Sequence, residues 1–182
     1  MLFRSLAGYC DRWARAVPQL AVAWAATERS APLAQKFGER LGAALCELDM
    51  LVGLEHSARL GRLRIPLEEL HALNVTPAAL AQPPWPAALC ERLRARHQEL
   101  RRALVGSCAG LHAPADRAAL RGLLVWAAVM QQHSRRAEGA LPGSWERSRW
   151  NGIGDSLGAW RAARRALNGP LHKTQASAAE HP

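Results

Sequence analysis

Apolar residues recur along this chain at steps of three and four, the spacing of a helix that buries one face. The clearest stripe is Leu33, Phe37, Leu41, Leu45, Leu48 and Val52. Ser30-Ala31-Pro32 stands before it, a capping hydroxyl followed by a proline suited to a first helical turn. Gly61 supplies a helix stop. The stretch 41–70 therefore begins as a helix, halts at Gly61-Arg62, and restarts beyond Pro66 with Glu68 and Glu69 in an acidic first turn. Upstream, Leu2, Leu6, Tyr9, Trp13 and Ala16 predict a helix over 2–27. Pro18 should kink or restart it, because proline removes a backbone donor and clashes one turn back. Trp13 and Trp24 read there as core aromatics.

Downstream, 67–73 predicts a short helical turn. Thr76 and Pro77 form the N-cap and first position of another. AQPPWP over 81–86 is a rigid loop, since successive prolines forbid a helix. Residues 87–104 predict a helix with Leu89, Leu93, His97, Leu100 and Leu104 on one side, His97 being a hydrogen-bonded core or boundary residue. A loop over 106–114 and a helix over 115–138 follow, the latter with Leu120, Leu123, Leu124, Ala127 and Met130 as its stripe. The last helix or helix pair spans 144–167 and is interrupted near Asn151-Gly152-Ile153-Gly154. Leu157, Trp160, Arg164 and Leu167 share a face of it, expected to dock on the bundle with the arginines in solvent. Residues 169–182 are small and polar, and a disordered tail is expected there. Strand-type runs are absent, so the expectation is an all-α bundle of about six to eight helices forming a single domain over 1–168.

Composition sharpens this picture. At 182 residues, 49% hydrophobic and only 5% aromatic, the chain must build its core from Leu, Ala and Val. The formal charge of +9 suits an anionic partner. The arginines are, however, scattered through Ala-rich helices, as on solvated helix faces, and no nucleic-acid docking motif accompanies them, so no nucleic-acid partner is expected. Cys10, Cys46, Cys90 and Cys108 are far apart and form no CxxC pair. They read as small buried residues in a reducing compartment. The most apolar early run, 17–26, is short and holds Pro18, so neither a membrane span nor a signal peptide is expected. The expected location is cytoplasmic, with peripheral contact at the inner membrane face through the basic amphipathic segment 157–167 as the membrane role the pattern allows.

Leu41-Gly42, Ala44, Leu51, Gly61-Arg62, Ile65-Pro66 and Leu70 fall in register, without a gap, on a signature of the squalene/phytoene synthase family, which this chain resembles. The resemblance implies an isoprenoid-synthase-like helical bundle, a partial one in which the family's front portion and first Asp-rich motif have no counterpart. It implies chemistry that joins two prenyl diphosphates head to head, with two Asp-rich helical motifs holding Mg²⁺ on the diphosphates. Mg²⁺ requires carboxylate and phosphate oxygens in near-octahedral order. Residue by residue, the second motif's aspartates fall on Gly53 and Ser57, and the acidic residue beside the latter falls on His56. The motif's Arg falls on Val52, its Gln on Cys46, its Asn on Asp49 and its Tyr on Arg64. The packing frame is kept and the chemical residues are replaced.

No substitute stands elsewhere. The aspartates are Asp11, Asp49, Asp116 and Asp155, with no DxxxD pair among them, and the adjacent Glu68 and Glu69 point to different sides of a helix. No cofactor is therefore expected, and no metal ligand or catalytic residue is assigned. Asp49, Gly53 and Ser57 share one helix face, with Cys46 above and His56 beside them, and Arg62 follows in the Gly-Arg turn. These six form a candidate substrate-binding set, or an inert remnant of one. Two functions follow from the resemblance. One is a catalytically silent binding or assembly module whose partner is another protein or a second copy of the chain. The other is an active head-to-head prenyl transferase whose Mg²⁺ ligands come from a partner subunit. A prenyl diphosphate or other isoprenoid ligand is doubtful once the aspartates are gone.

Overall fold

The computed structural model describes residues 15–16, 31–145 and 149–168. Within them the chain forms seven α-helices and one 3-10 turn, with no strand. These are α1 (Ala31–Val52), α2 (Leu54–Arg59), α3 (Leu67–Ala72), a 3-10 turn (Pro77–Ala81), α4 (Ala87–Ala109), α5 (Pro114–Ala119), α6 (Arg121–Ala140) and α7 (Arg149–Asn168). The expected helix over 2–27, with Trp13 and Trp24, lies outside the described residues apart from 15–16, which are helical. The expected tail over 169–182 also lies outside them.

The core forms where α1, α4 and α6 meet. Phe37, Leu41, Leu45 and Leu48 of α1 are buried, as the periodicity required, Val52 at the end of that stripe is half-buried against the core, and Leu51 beside it is buried too. So are Leu89, Leu93, His97, Leu100 and Leu104 of α4, and Leu123, Ala127 and Met130 of α6. No described helix is long and apolar enough to cross a membrane.

The short helices end by capping chemistry that the sequence carries. In α2, the Arg62 amide donates to the Ser57 carbonyl at 2.9 Å and the Gly61 amide to the Ala58 carbonyl at 2.9 Å. Gly61 sits at φ +71°. This is a Schellman cap, with glycine at the left-handed position a side chain would strain. α3 repeats the device with Asn74 at φ +53°, Val75 donating to Leu70 at 2.9 Å and Asn74 donating to His71 at 3.0 Å. Leu70 and Val75 are both buried, the apolar contact that accompanies such a cap.

Three boundaries differ from the sequence expectation. α4 runs to Ala109 and absorbs Gly106, so the loop is confined to 110–113. Cys108, packed against the core, and the buried Leu111 hold that extra turn. The helix expected over 115–138 is two helices, because the chain turns at Leu120 while burying its side chain. The last helix is not interrupted at residues 151–154. Gly154 and Gly158 instead face α6, leaving room for the Arg136 and Gln132 side chains, which a Cβ would meet at 2.9 and 2.7 Å. The docking face of α7 is thus small and polar. Ile153, Leu157 and Trp160 point to solvent at 67%, 45% and 54% exposure, the reverse of the expected docking of the apolar face.

Polar groups tie the long helices together. Asp155 of α7 accepts from His133 Nε2 and from Arg136 of α6, both at 2.7 Å. Desolvation pushes the Asp155 carboxyl upward, but these hydrogen bonds and charges outweigh it and leave the group below its ordinary value. Between α4 and α6, Arg101 donates to Ser134 Oγ at 2.9 Å and pairs with Glu138. Ser134 Oγ lies 3.0 Å from His97 Nδ1. Burial, helped by the Arg101 charge, lowers His97 to about 4, so its ring is neutral at pH 7. Its Nδ1 then accepts the Ser134 hydroxyl proton, while Ser134 accepts from Arg101. The Ser134 hydroxyl, the Arg101 guanidinium and the Glu138 carboxylate thus meet partners within this cluster, as buried polar networks require.

Candidate functional site

The candidate site is a half-open cavity of about 600 Å³ where α1 gives way to α2 and the chain turns at Gly61. Gly53 breaks the long helix only locally. Its amide donates to the Asp49 carbonyl at 3.1 Å and its carbonyl accepts from Ser57 at 2.9 Å, so the helical path carries on through the joint. That continuity keeps Asp49, Gly53 and Ser57 on one face, one turn apart. The Schellman cap then turns the chain so that Arg62 and Arg64 return to the same cavity.

All six sequence-selected residues line this single cavity: Cys46, Asp49, Gly53, His56, Ser57 and Arg62. Cys46 is buried, Gly53 and Ser57 are half-buried, and Asp49, His56 and Arg62 are exposed. The cavity also brings in residues the sequence did not single out as site residues. Glu55 is buried and pairs with Arg59 one turn on. Arg64, aligned above with the family tyrosine, is half-buried. Trp145 closes part of the wall from beyond α6, and its ring lies 5.0 Å from that of His133. Arg59 and Arg64 flank the Gly-Arg turn and were within reach of sequence reasoning. Nothing local marks Trp145, which arrives from a distant stretch of chain.

The electrostatics follow from these groups. Glu55 and Arg59 neutralise each other, which leaves Arg62 and Arg64 against a solvent-exposed Asp49. Neither Arg62 nor Arg64 has a side-chain hydrogen bond or ion pair among the described residues. Among the described residues, two buried side-chain N–H groups lack any partner, Arg64 Nε and Arg117 Nε, and of these only Arg64 lies at the cavity. A buried donor without an acceptor costs roughly 1–3 kcal/mol.

The Mg²⁺ that the family resemblance implies can be tested against this donor set. The cavity's carboxylates are Asp49 and Glu55, and Glu55 is engaged by Arg59. Among the described residues, no group of three or more His, Cys, Asp and Glu side chains is placed to hold a metal ion. These residues do not fit a Mg²⁺–diphosphate cluster, and the wall offers guanidinium groups where carboxylate oxygens are needed.

Comparison with known proteins agrees with the helical frame. The family model described as squalene/phytoene synthase matches residues 3–150. No curated protein and no solved structure matches the chain. The match spans the cavity, the three core helices and the Gly-Arg turn, and the chain belongs to the squalene/phytoene synthase family.

Proposed function

We propose that this family member performs no head-to-head prenyl transfer and acts as a helical binding or assembly module. The observation that carries the reading is the cavity's donor set: glycine and serine stand at the positions of the second motif's aspartates, and arginines furnish the free charges. Departure of diphosphate needs positive charge held by a metal cluster on fixed carboxylates. Asp49 alone cannot assemble one. The test is incubation of the purified protein with farnesyl or geranylgeranyl diphosphate and Mg²⁺. The expected outcome is no C30 or C40 product, and such a product would refute the reading.

The alternative, an active transferase with ligands from a partner subunit, requires a partner rich in DxxxD helices. Co-purification followed by mass spectrometry decides it, and a protein that stays alone in a competent extract counts against it.

The location belonging to this reading is cytoplasmic, with peripheral contact at the inner membrane face. Ile153, Leu157 and Trp160 form an exposed stripe beside Arg161, Arg164 and Arg165, with Arg164 stacked over Trp160 at 5.0 Å. An apolar stripe rimmed by arginine suits an anionic lipid surface. Sedimentation with phosphatidylglycerol vesicles, lost in Trp160→Ser, is the expected result.

A further inference from the structure

We infer that α7 couples contact at its outward face to closure of the cavity wall, through Asp155, His133 and Trp145. The inference rests on the proposed lipid contact of α7 and adds what that contact controls.

Charge decides what the outward face meets. Beyond Trp150, α7 lies outside the stretch 3–150 that the family model matches, so this face is not part of the matched frame. Ile153, Leu157 and Trp160 are exposed on it, followed by exposed Arg161, Arg164 and Arg165. Asp155 is the one acidic residue of α7, and it turns inward to His133 and Arg136. A second copy of α7 would therefore bring no carboxylate to these arginines. An anionic lipid surface brings phosphate to the arginines and acyl chain to the apolar residues.

The inward side is lightly held. The described residues of α7 that turn to the bundle are glycine, alanine and Asp155. Gly154 and Gly158 leave room for Arg136 and Gln132 rather than filling an apolar groove. A helix seated on so little apolar surface opens at a low free energy. Its fixed points include the two 2.7 Å bonds that Asp155 accepts from His133 Nε2 and Arg136 Nη1. The first of these leads on to the cavity. His133 is buried, and its ring lies 5.0 Å from that of Trp145, tilted by 40°. Trp145 belongs to no helix and lines the cavity, so side-chain packing of this kind holds it in place. Seating α7 fixes the His133 ring, and the His133 ring supports the Trp145 wall. Contiguous packed and hydrogen-bonded side chains are the physical route by which two surfaces influence each other.

Lipid shifts the balance in one direction. A seated α7 meets the surface already helical, and most helical stability comes from packing rather than propensity. Contact that favours the seated helix favours the closed wall with it. By linkage, a loosened seat weakens the lipid contact by the same factor.

Hydroxyl-radical footprinting of the full chain at matched dose tests this, alone and with phosphatidylglycerol vesicles. It is read by mass spectrometry at Trp145 and at the buried Trp85. In the parent, the vesicles should lower Trp145 modification severalfold and leave Trp85 unchanged, and phosphatidylcholine vesicles should do neither. Asp155→Ala should raise Trp145 modification without lipid, abolish its response to vesicles, and weaken sedimentation with them about fivefold or more. An unchanged Trp85 shows that the core of the variant is intact; if Trp85 is exposed as well, the response of the parent to vesicles decides alone. A parent that sediments with phosphatidylglycerol while Trp145 stays as reactive as before overturns the inference and leaves the lipid contact standing. So does a vesicle response at Trp145 that survives Asp155→Ala with Trp85 protected, since it would mean lipid shields the ring directly. A parent that does not sediment at all overturns both.

Discussion

Acidification from pH 7 to pH 5 should destabilise this protein through one buried residue, His97. In the folded chain its ring is buried beside Ser134 and its proton affinity is lowered to about 4, against an ordinary 6.5. The unfolded chain therefore binds the proton more readily between those values, and stability falls with pH across that window. The contribution is fully kept above pH 6.5 and lost progressively as pH falls toward 4. Integrating the two titrations from pH 7 to pH 5 gives a loss of about 2 kcal/mol. For a chain of this size that corresponds to a melting temperature lower by about 4–8 °C. Glu138 and Asp155 are both held below their ordinary values of 4.5 and 3.8, so their losses set in largely below this window. Urea unfolding at pH 7 and pH 5 on the parent and on His97→Gln isolates the effect. Gln does not titrate and still offers Ser134 an acceptor, so the variant should lose about 2 kcal/mol less than the parent over the same interval. Equal losses in the two proteins would refute the placement of His97 as a buried, neutral acceptor.

Two further outcomes follow from the packing and the site. Leu45→Ala should destabilise by about 2–4 kcal/mol, since Leu45 is fully buried at the α1 face of the core, and an unchanged urea midpoint would contradict that helix phase. Gly53→Asp with Ser57→Asp should fold, because a Cβ at Gly53 meets only the Asp49 carbonyl oxygen at an ordinary 3.5 Å, yet it should not turn over prenyl diphosphate with Mg²⁺, because the rest of the wall supplies arginine rather than carboxylate.

Much of the fold was legible because helical burial writes itself at steps of three and four. The α4 stripe is core residue for residue, Phe37, Leu41, Leu45 and Leu48 of the α1 stripe are core with Val52 half-buried against it, and Gly61 ends α2 as its conformational freedom suggests. The cavity was legible for the same reason: Cys46, Asp49, Gly53 and Ser57 share a face by spacing alone, and His56 and Arg62 follow within one turn and a cap. The misreadings share a cause. The local pattern marks Gly106 and Gly154 as breaks, but glycine within a helix only lowers its intrinsic preference by about 1 kcal/mol, and tertiary packing overrides that. At Gly154 the missing side chain is what admits Arg136 of α6. The turn at Leu120 and the arrival of Trp145 at the cavity depend on contacts between distant stretches, which no local pattern records. Nor does composition distinguish a scattered arginine from one whose Nε is buried without a partner, as in Arg64.

Release of inorganic diphosphate tests the central claim most directly, because any ionisation of a prenyl diphosphate must liberate it whatever product follows. With geranylgeranyl or farnesyl diphosphate and saturating Mg²⁺, the account predicts release at the rate seen without protein. Mg²⁺-dependent release above that rate, abolished by Asp49→Asn, would show that the cavity still assembles a metal cluster and would contradict the account.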